Sequence, residues 1–188
     1  MTRFHLVRHG PTHAKTMIGW TDLPADLSDQ GALDRLDAYL PDAPVVSSDL
    51  GRAIATADRL VGQRPRLPHD PALREIHFGL WEGQSFAVAE AENPTLIRAF
   101  WETPGPVAAP GGESWDDLTH RVWAAFDRFH THPDLIIVAH FGSILAGLQR
   151  GLGVSATQVF AHKIDNLSVT QINFDAGVWS TGRVNHIP

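Results

Sequence analysis

Short apolar runs punctuate this chain, and each stops abruptly at small or polar residues. Phe4-His5-Leu6-Val7 ends at Arg8-His9-Gly10, Val45-Val46 ends at Ser47-Ser48-Asp49, and Leu135-Ile136-Ile137-Val138-Ala139 ends at His140. Such runs predict short strands buried on both faces. Helical patterns lie between them. Ser28 predicts a helix start, with the helix running to about Leu40 and stopped by Pro41. Arg52 to Val61 reads as a helix closed by Gly62, and Gly142-Ser143-Ile144-Leu145 opens another. Ser114-x-x-Asp117 has the form of a helix start, followed by Leu118, Val122 and Phe126 at helical spacing. Residues 168–174 and 178–184 alternate around Asp175-Ala176-Gly177 and predict a late hairpin. Strands alternating with helices imply an α/β chain: three layers, α/β/α, around a mostly parallel sheet.

Two stretches break the rhythm. Pro65, Pro68 and Pro71 mark an irregular connection. The segment 84–112 has an alanine-rich helical centre ending near Trp101-Glu102, followed by Pro104-Gly105-Pro106 and Pro110-Gly111-Gly112. It reads as a lid or pocket wall inserted into a single domain that spans 1–188. Trp115 and Trp123 read as packing residues.

The run ends carry the chemistry. Open α/β sheets bind ligands outside the carboxyl ends of their strands, so Arg8, His9, Arg52 and His140 are expected in one crevice. A neutral imidazole is a competent nucleophile near pH 7, and a guanidinium grips phosphate through paired hydrogen bonds. Arg52 falls in the first turn of a helix, where the dipole disfavours a cation. A bound anion at that helix end would remove the conflict; a solvated Arg on an exposed face is the plainer alternative. Leu73-Arg74-Glu75-Ile76-His77-Phe78-Gly79-Leu80-Trp81-Glu82-Gly83 brings two acids among aromatics and glycines. A carboxyl beside Trp or Phe, next to phosphate, can keep its proton and serve as a general acid. Glu82 fits better as an ordinary loop acid, which leaves Glu75 as the candidate.

These segments together resemble the histidine phosphatases of the phosphoglycerate mutase-like superfamily. Leu6-Val7-Arg8-His9-Gly10 is similar to the family's nucleophile signature, and Ser48-Asp49-Leu50-Gly51-Arg52-Ala53 to its second phosphate-binding signature. Leu73 to Gly83 resembles the acid-bearing segment, and Val138-Ala139-His140 the second-histidine segment. Gly19-Trp20-Thr21-Asp22-Leu23-Pro24, Gly111-Gly112-Glu113-Ser114 and Asn166-Leu167-Ser168-Val169 add lesser matches in family order. The Trp81-Glu82-Gly83 ending looks most like small bacterial α-ribazole phosphatases and broad phosphomonoesterases. The resemblance implies a phosphoglycerate mutase-like fold and a two-step phosphoryl transfer. His9 would carry the phosphoryl group, Arg8, Arg52 and His140 would hold its oxygens, and Glu75 would act as acid and then base. No metal or other cofactor is implied, and the partner is a small phosphorylated substrate.

The chain departs from the family pattern at the pocket mouth. Phe141 stands where a Gly is frequent, and its ring would narrow the pocket while its N–H still reaches phosphate. Pro11 and Lys15 replace a frequent Glu and Asn. Lys15 could bring a full charge to the phosphate or point into solvent. Thr12 would line the mouth, with His13 at the rim. Phe78, Trp81, Phe86 and Phe141 are either an apolar wall for a nucleoside-like or aromatic alcohol, or core. A mutase needs to retain a sugar acid, yet the insertion offers only Arg98 as a clear cation, so hydrolysis is the expectation over transfer. A noncatalytic phosphate-binding module would have no use for a proton donor.

Composition excludes several classes. Fifteen Lys and Arg against 21 Asp and Glu leave a net charge of −6, which argues against nonspecific nucleic-acid binding. The eleven His are scattered without metal-ligand spacing. There is no Cys, so disulfides and thiol chemistry are out. No apolar run approaches a membrane span of about 20 residues, and the N-terminus enters a strand without a secretory segment. A cytoplasmic enzyme is therefore expected, with a homodimer among the assembly states left open.

Overall fold

In a computed structural model that describes residues 1–188, the chain opens with β1 (Thr2–Arg8), then α1 (Gln30–Tyr39), β2 (Val45–Ser47) and α2 (Gly51–Val61). The insertion forms α3 (Phe86–Glu92) and α4 (Pro94–Glu102). The second half comprises α5 (Trp115–Phe129), β3 (Asp134–Ala139), α6 (Phe141–Leu152), α7 (Ala156–Val159), β4 (Val169–Asp175) and β5 (Val178–Thr181). The strands form one sheet in the order β2-β3-β1-β4-β5. β2, β3 and β1 pair in parallel, and β4 runs antiparallel to both of its neighbours. The sheet is thus mixed but mostly parallel.

The two-residue period of the strands divides the core. Phe4 and Leu6 of β1 face one layer with Leu135 and Ile137 of β3, where Leu118, Val122 and Phe126 of α5 and Ile144 of α6 cover them. Val7, Ile136 and Val138 face the other layer, closed by Leu33 and Leu36 of α1 and Ala57 and Leu60 of α2. Each fully buried Leu or Phe contributes about 1.5–3 kcal/mol. Helices on both faces leave only the strand ends free to build a site. None of the helices is long and apolar enough to cross a membrane.

Local chemistry moves some boundaries from where the pattern put them. The cap of α1 is Asp29 rather than Ser28, because the Asp29 carboxylate accepts the Ala32 N–H at 2.9 Å. Ser28 instead donates its N–H to Asp26 Oδ1 at 2.9 Å and ends the loop. The insertion holds two helices where one was expected. Asn93 ends α3 and caps α4, its side chain accepting the Leu96 N–H at 3.0 Å. Pro94, at the first position of α4, has no N–H to continue α3. β5 stops at Thr181, short of residue 184, although Gly182 and Arg183 still exchange backbone hydrogen bonds with Gln171. The hairpin turn sets Ala176 and Gly177 at φ 48° and 86°, the left-handed pair that tight hairpins require. Ser114 and Asp117 form the reciprocal cap expected for α5.

The acid-bearing segment is fixed against the far end of the insertion. Leu80 N–H donates to the Pro110 carbonyl and Glu113 N–H to the His77 carbonyl, each at 2.8 Å. Gly79 makes the approach possible: its φ is +55°, and a Cβ there would lie 2.1 Å from the Pro110 oxygen. Gly79→Ala therefore combines backbone strain with a clash that no side-chain rotation relieves. Urea unfolding is expected to show a loss of at least about 2 kcal/mol; a variant as stable as wild type would contradict this packing.

Candidate active site

Parallel pairing of β1 with β3 sets Arg8 opposite Ala139. The next residues, His9 and His140, leave the sheet side by side, with ring centroids 5.0 Å apart. The His9 N–H donates to the Ala139 carbonyl at 3.0 Å. Asn166 Nδ2 donates to the His9 carbonyl at 2.7 Å, and the Gly10 N–H donates to Thr56 Oγ1 at 3.0 Å. Three chain segments thus pin the backbone of one histidine.

The ring of His9 is oriented as well. Its Nδ1 lies 2.6 Å from the Gly10 carbonyl, which can only accept, so Nδ1 carries the hydrogen. The lone pair is then on Nε2, where the Arg52 Nε–H donates to it at 3.2 Å. Burial pushes the pKa of His9 down to about 3; the Gly10 carbonyl opposes that shift, and the Arg52 and Arg8 charges add to it. The imidazole is accordingly neutral at pH 7. His140 is fully buried, and neither of its ring nitrogens has a hydrogen-bond partner. Burial, reinforced by His9 and Arg52, holds it well below the usual imidazole range.

Arg52 is not a solvated face residue. It is 1% exposed, and it donates to the Thr21 carbonyl at 2.9 Å and the Gly19 carbonyl at 2.6 Å. Glu82 organises that loop, accepting the backbone N–H groups of Gly19, Trp20 and Thr21 at 2.8–3.1 Å. Glu82 is therefore the loop acid the sequence suggested. Arg8 donates from one terminal nitrogen to the Ile164 carbonyl at 2.6 Å, and its buried Nε has no partner.

Glu75 reaches the same place from the opposite wall. Its carboxylate accepts the Ile76 N–H and the Gly142 N–H, each at 2.9 Å to Oε1. The second donor belongs to the first turn of α6, where a negative charge is favoured. A Cβ on residue 142 would stand 2.2 Å from Oε1, so Gly142 is what admits the carboxylate. Trp20 Nε1 and Arg121 both donate to the Glu75 carbonyl, at 2.9 and 2.7 Å. Arg121 also holds the Glu113 carboxylate and the carbonyls of Ala72 and Arg74.

Arg8, His9, Thr12, Arg52 and Glu75 share the wall of a cleft of about 110 Å³, with His140 against His9. Lys15 is exposed and is not brought into this wall. His13 is exposed at the rim, its Nε2 2.7 Å from Asp26 Oδ2. Phe141 lies beneath the Arg8 guanidinium, 5.4 Å from it, and borders an adjoining apolar pocket rather than the cleft. Phe78 and Trp81 are buried in the core, whereas Phe86 is largely exposed. Arg121 and Asn166 had no role assigned from sequence. A charged residue three positions after Leu118 borders the buried stripe of α5, which was the available signal for Arg121.

The arrangement is that of a small anion site: cationic and N–H donors converge on a neutral imidazole beside a carboxylate. Residues 4–187 match the histidine phosphatase superfamily, branch 1. The chain is similar to phosphoglycerate mutase-like protein 4 of Arabidopsis thaliana, 32% identical over 97% of this chain and 85% of that one. It is also similar to the adenosylcobalamin/alpha-ribazole phosphatase of Salmonella typhimurium, 28% identical over 87% and 86%. Among solved structures, YhfR of Bacillus stearothermophilus superposes with a TM-score of 0.90, at 26% identity, over 100% of this chain and 98% of that one. The chain spans about half (53%) of the length of the first curated relatives it matches. With its strand-end histidines, its sheet order and this match along nearly its whole length, the chain belongs to the histidine phosphatase superfamily.

Proposed function

We propose that the chain hydrolyses phosphomonoesters of small metabolites in two steps, through a phosphohistidine at His9. One observation carries the reading. A neutral imidazole turns its Nε2 lone pair to the Arg52 Nε–H, beside buried groups of Arg8 and His140 that no protein atom satisfies. Leaving a buried donor unpaired costs about 1–3 kcal/mol. A phosphoryl group in the cleft would satisfy Arg8 Nε and one nitrogen of His140 together. Relatives with phosphatase names support the same reading.

In the first step, Nε2 of His9 attacks phosphorus opposite the leaving oxygen. The Arg52 Nε–H gives up the lone pair it now caps and turns to a phosphoryl oxygen. Arg8, Arg52 and His140 spread the charge of the three equatorial oxygens, the largest stabilising contribution in such transfers. Glu75 acts as the general acid in this step and gives a proton to the leaving alcohol. In the second step Glu75 takes a proton from water as that water attacks phosphorus. Phosphate leaves, and His9 returns to its neutral form. The two guanidinium groups supply the positive charge that metal ions supply elsewhere, so the scheme requires no metal.

The insertion favours hydrolysis over transfer to a retained sugar acid. Its cation, Arg98, is exposed and is held by Glu90 at 2.6 Å, leaving no free charge to keep a carboxylated intermediate in place.

A screen of phosphomonoesters tests the reading. His9→Ala is expected to lose at least about a thousandfold in kcat on every ester that the wild type cleaves, while remaining folded by circular dichroism. Comparable turnover by the variant would overturn the assignment. Glu75→Gln is expected to slow alkyl phosphates by about 10²–10⁴-fold and nitrophenyl phosphate far less, because a good leaving group needs little proton assistance. Equal slowing across leaving groups would remove Glu75 from the acid role.

A further inference from the structure

Four hydrogen bonds around the nucleophile close into a ring. His9 Nδ1–H donates to the Gly10 carbonyl at 2.6 Å, and the Gly10 N–H donates to Thr56 Oγ1 at 3.0 Å. The Thr56 hydroxyl donates to the Arg52 carbonyl at 2.8 Å, and the Arg52 Nε–H returns to His9 Nε2 at 3.2 Å. The direction is the same all the way round: each residue gives one hydrogen to the next and receives one from the last. The carbonyls of Gly10 and Arg52 can only accept and the Gly10 N–H can only donate, which fixes that direction. Bonds chained head to tail in a buried space polarise and strengthen one another.

His9, Gly10 and Arg52 already have places in the mechanism, and Thr56 has none. It is fully buried on α2, in one stripe with Ala53, Ala57 and Leu60. Packing alone would be served by an apolar residue there. A threonine hydroxyl bonded to the carbonyl four residues back is ordinary inside a helix. The informative partner is the Gly10 N–H, which comes from the end of β1, 46 residues away. The branched Cβ of Thr56 restricts its χ1 and so holds the hydroxyl between both partners. The peptide joining His9 to Gly10 is thereby gripped at both ends, since Asn166 donates to its carbonyl. The ring matters most when it opens. Phosphorus reaches His9 Nε2 only as the Arg52 Nε–H lets go of it, and the path through Gly10 and Thr56 then still ties the imidazole to Arg52. The Arg52 guanidinium keeps its own hold on the Gly19 and Thr21 carbonyls, with or without Thr56.

We propose that Thr56 is a positioning residue: its hydroxyl holds the Gly10 backbone, and through it the His9 imidazole, in line with the phosphate that Arg52 grips. The proposal rests on the phosphatase reading above. Thr56 is not part of the cleft wall, so it acts through His9 and touches no substrate. Loss of the hydroxyl therefore slows attack on phosphorus and leaves the affinity for phosphate where it was.

The test separates rate from affinity. Thr56→Val, which keeps the branched shape and removes the hydroxyl, is expected to form the phosphohistidine from nitrophenyl phosphate about 10–100-fold more slowly in a single turnover. Its inhibition constant for inorganic phosphate is expected to stay within about threefold of wild type. Thr56→Ser, which keeps the hydroxyl, should stay within about threefold of wild type in both. Leu60→Ala, a large-to-small change in the same buried stripe, should lower the melting temperature yet phosphorylate at the wild-type rate. A Thr56→Val enzyme as fast as wild type, or one whose phosphate affinity falls as far as its rate, would overturn the proposal. A serine variant as slow as the valine one, or equal slowing by Leu60→Ala, would reduce Thr56 to packing and overturn it too. In wild type alone, the Gly10 amide should exchange with solvent at least about a thousandfold more slowly than an exposed amide. Exchange at the exposed rate would overturn the ring even if Thr56→Val fails to fold. A wild type that forms no phosphohistidine would instead sink the phosphatase reading, and the role of Thr56 with it.

Discussion

Everything at this site follows from burying cations and imidazoles in one small space. Arg52 and His140 are almost wholly withdrawn from water, and His9 nearly so. Charge cannot accumulate on the rings under those conditions, so both histidines stay neutral and the two guanidinium groups carry the positive charge. That division of labour suits the proposed mechanism. A protonated His9 could not attack, and in the proposal the two arginines hold the phosphate to be attacked.

The sheet makes this burial geometrically cheap. β1 and β3 are neighbours in parallel, so two residues far apart in sequence emerge one hydrogen bond apart. Helices on both faces leave the carboxyl ends as the exposed edge, and the first turns of α2 and α6 face that edge. Arg52 sits in the first, against its dipole, and its charge is absorbed by the carbonyls of Gly19 and Thr21. Glu75 meets the second, in accord with the dipole, and needs the missing side chain of Gly142 to do so. The insertion then contributes Phe100 and Trp101 to an apolar pocket that adjoins the cleft at Glu75.

The strand ends were legible because each ends a run with no other use for Arg or His. Arg8, His9 and His140 could be placed from the apolar segments alone. Arg52 could not, since a cation in a first turn is compatible with open solvent; only the loop 19–21 folding over it decides. Glu75 and Glu82 look alike in sequence, and the difference lies in which backbone N–H groups meet them. The supports were hidden for the same reason. Arg121 serves carbonyls around Glu75, and contacts between backbone and distant side chains leave no periodic trace. The split of the insertion at Asn93-Pro94 was written locally, in a cap followed by a proline, but an alanine-rich context masks it.

The central claim is that a covalent phosphoryl group forms on His9. Rapid quenching into alkali during turnover of an activated aryl phosphate, followed by peptide mass spectrometry, measures it directly. The account predicts a phosphoryl group on the peptide containing His9, stable in base and lost in acid. Phosphorylation of His140 in its place, or turnover with no covalent adduct under conditions where the step after alcohol departure is a slow hydrolysis rather than slow phosphate release, would contradict it.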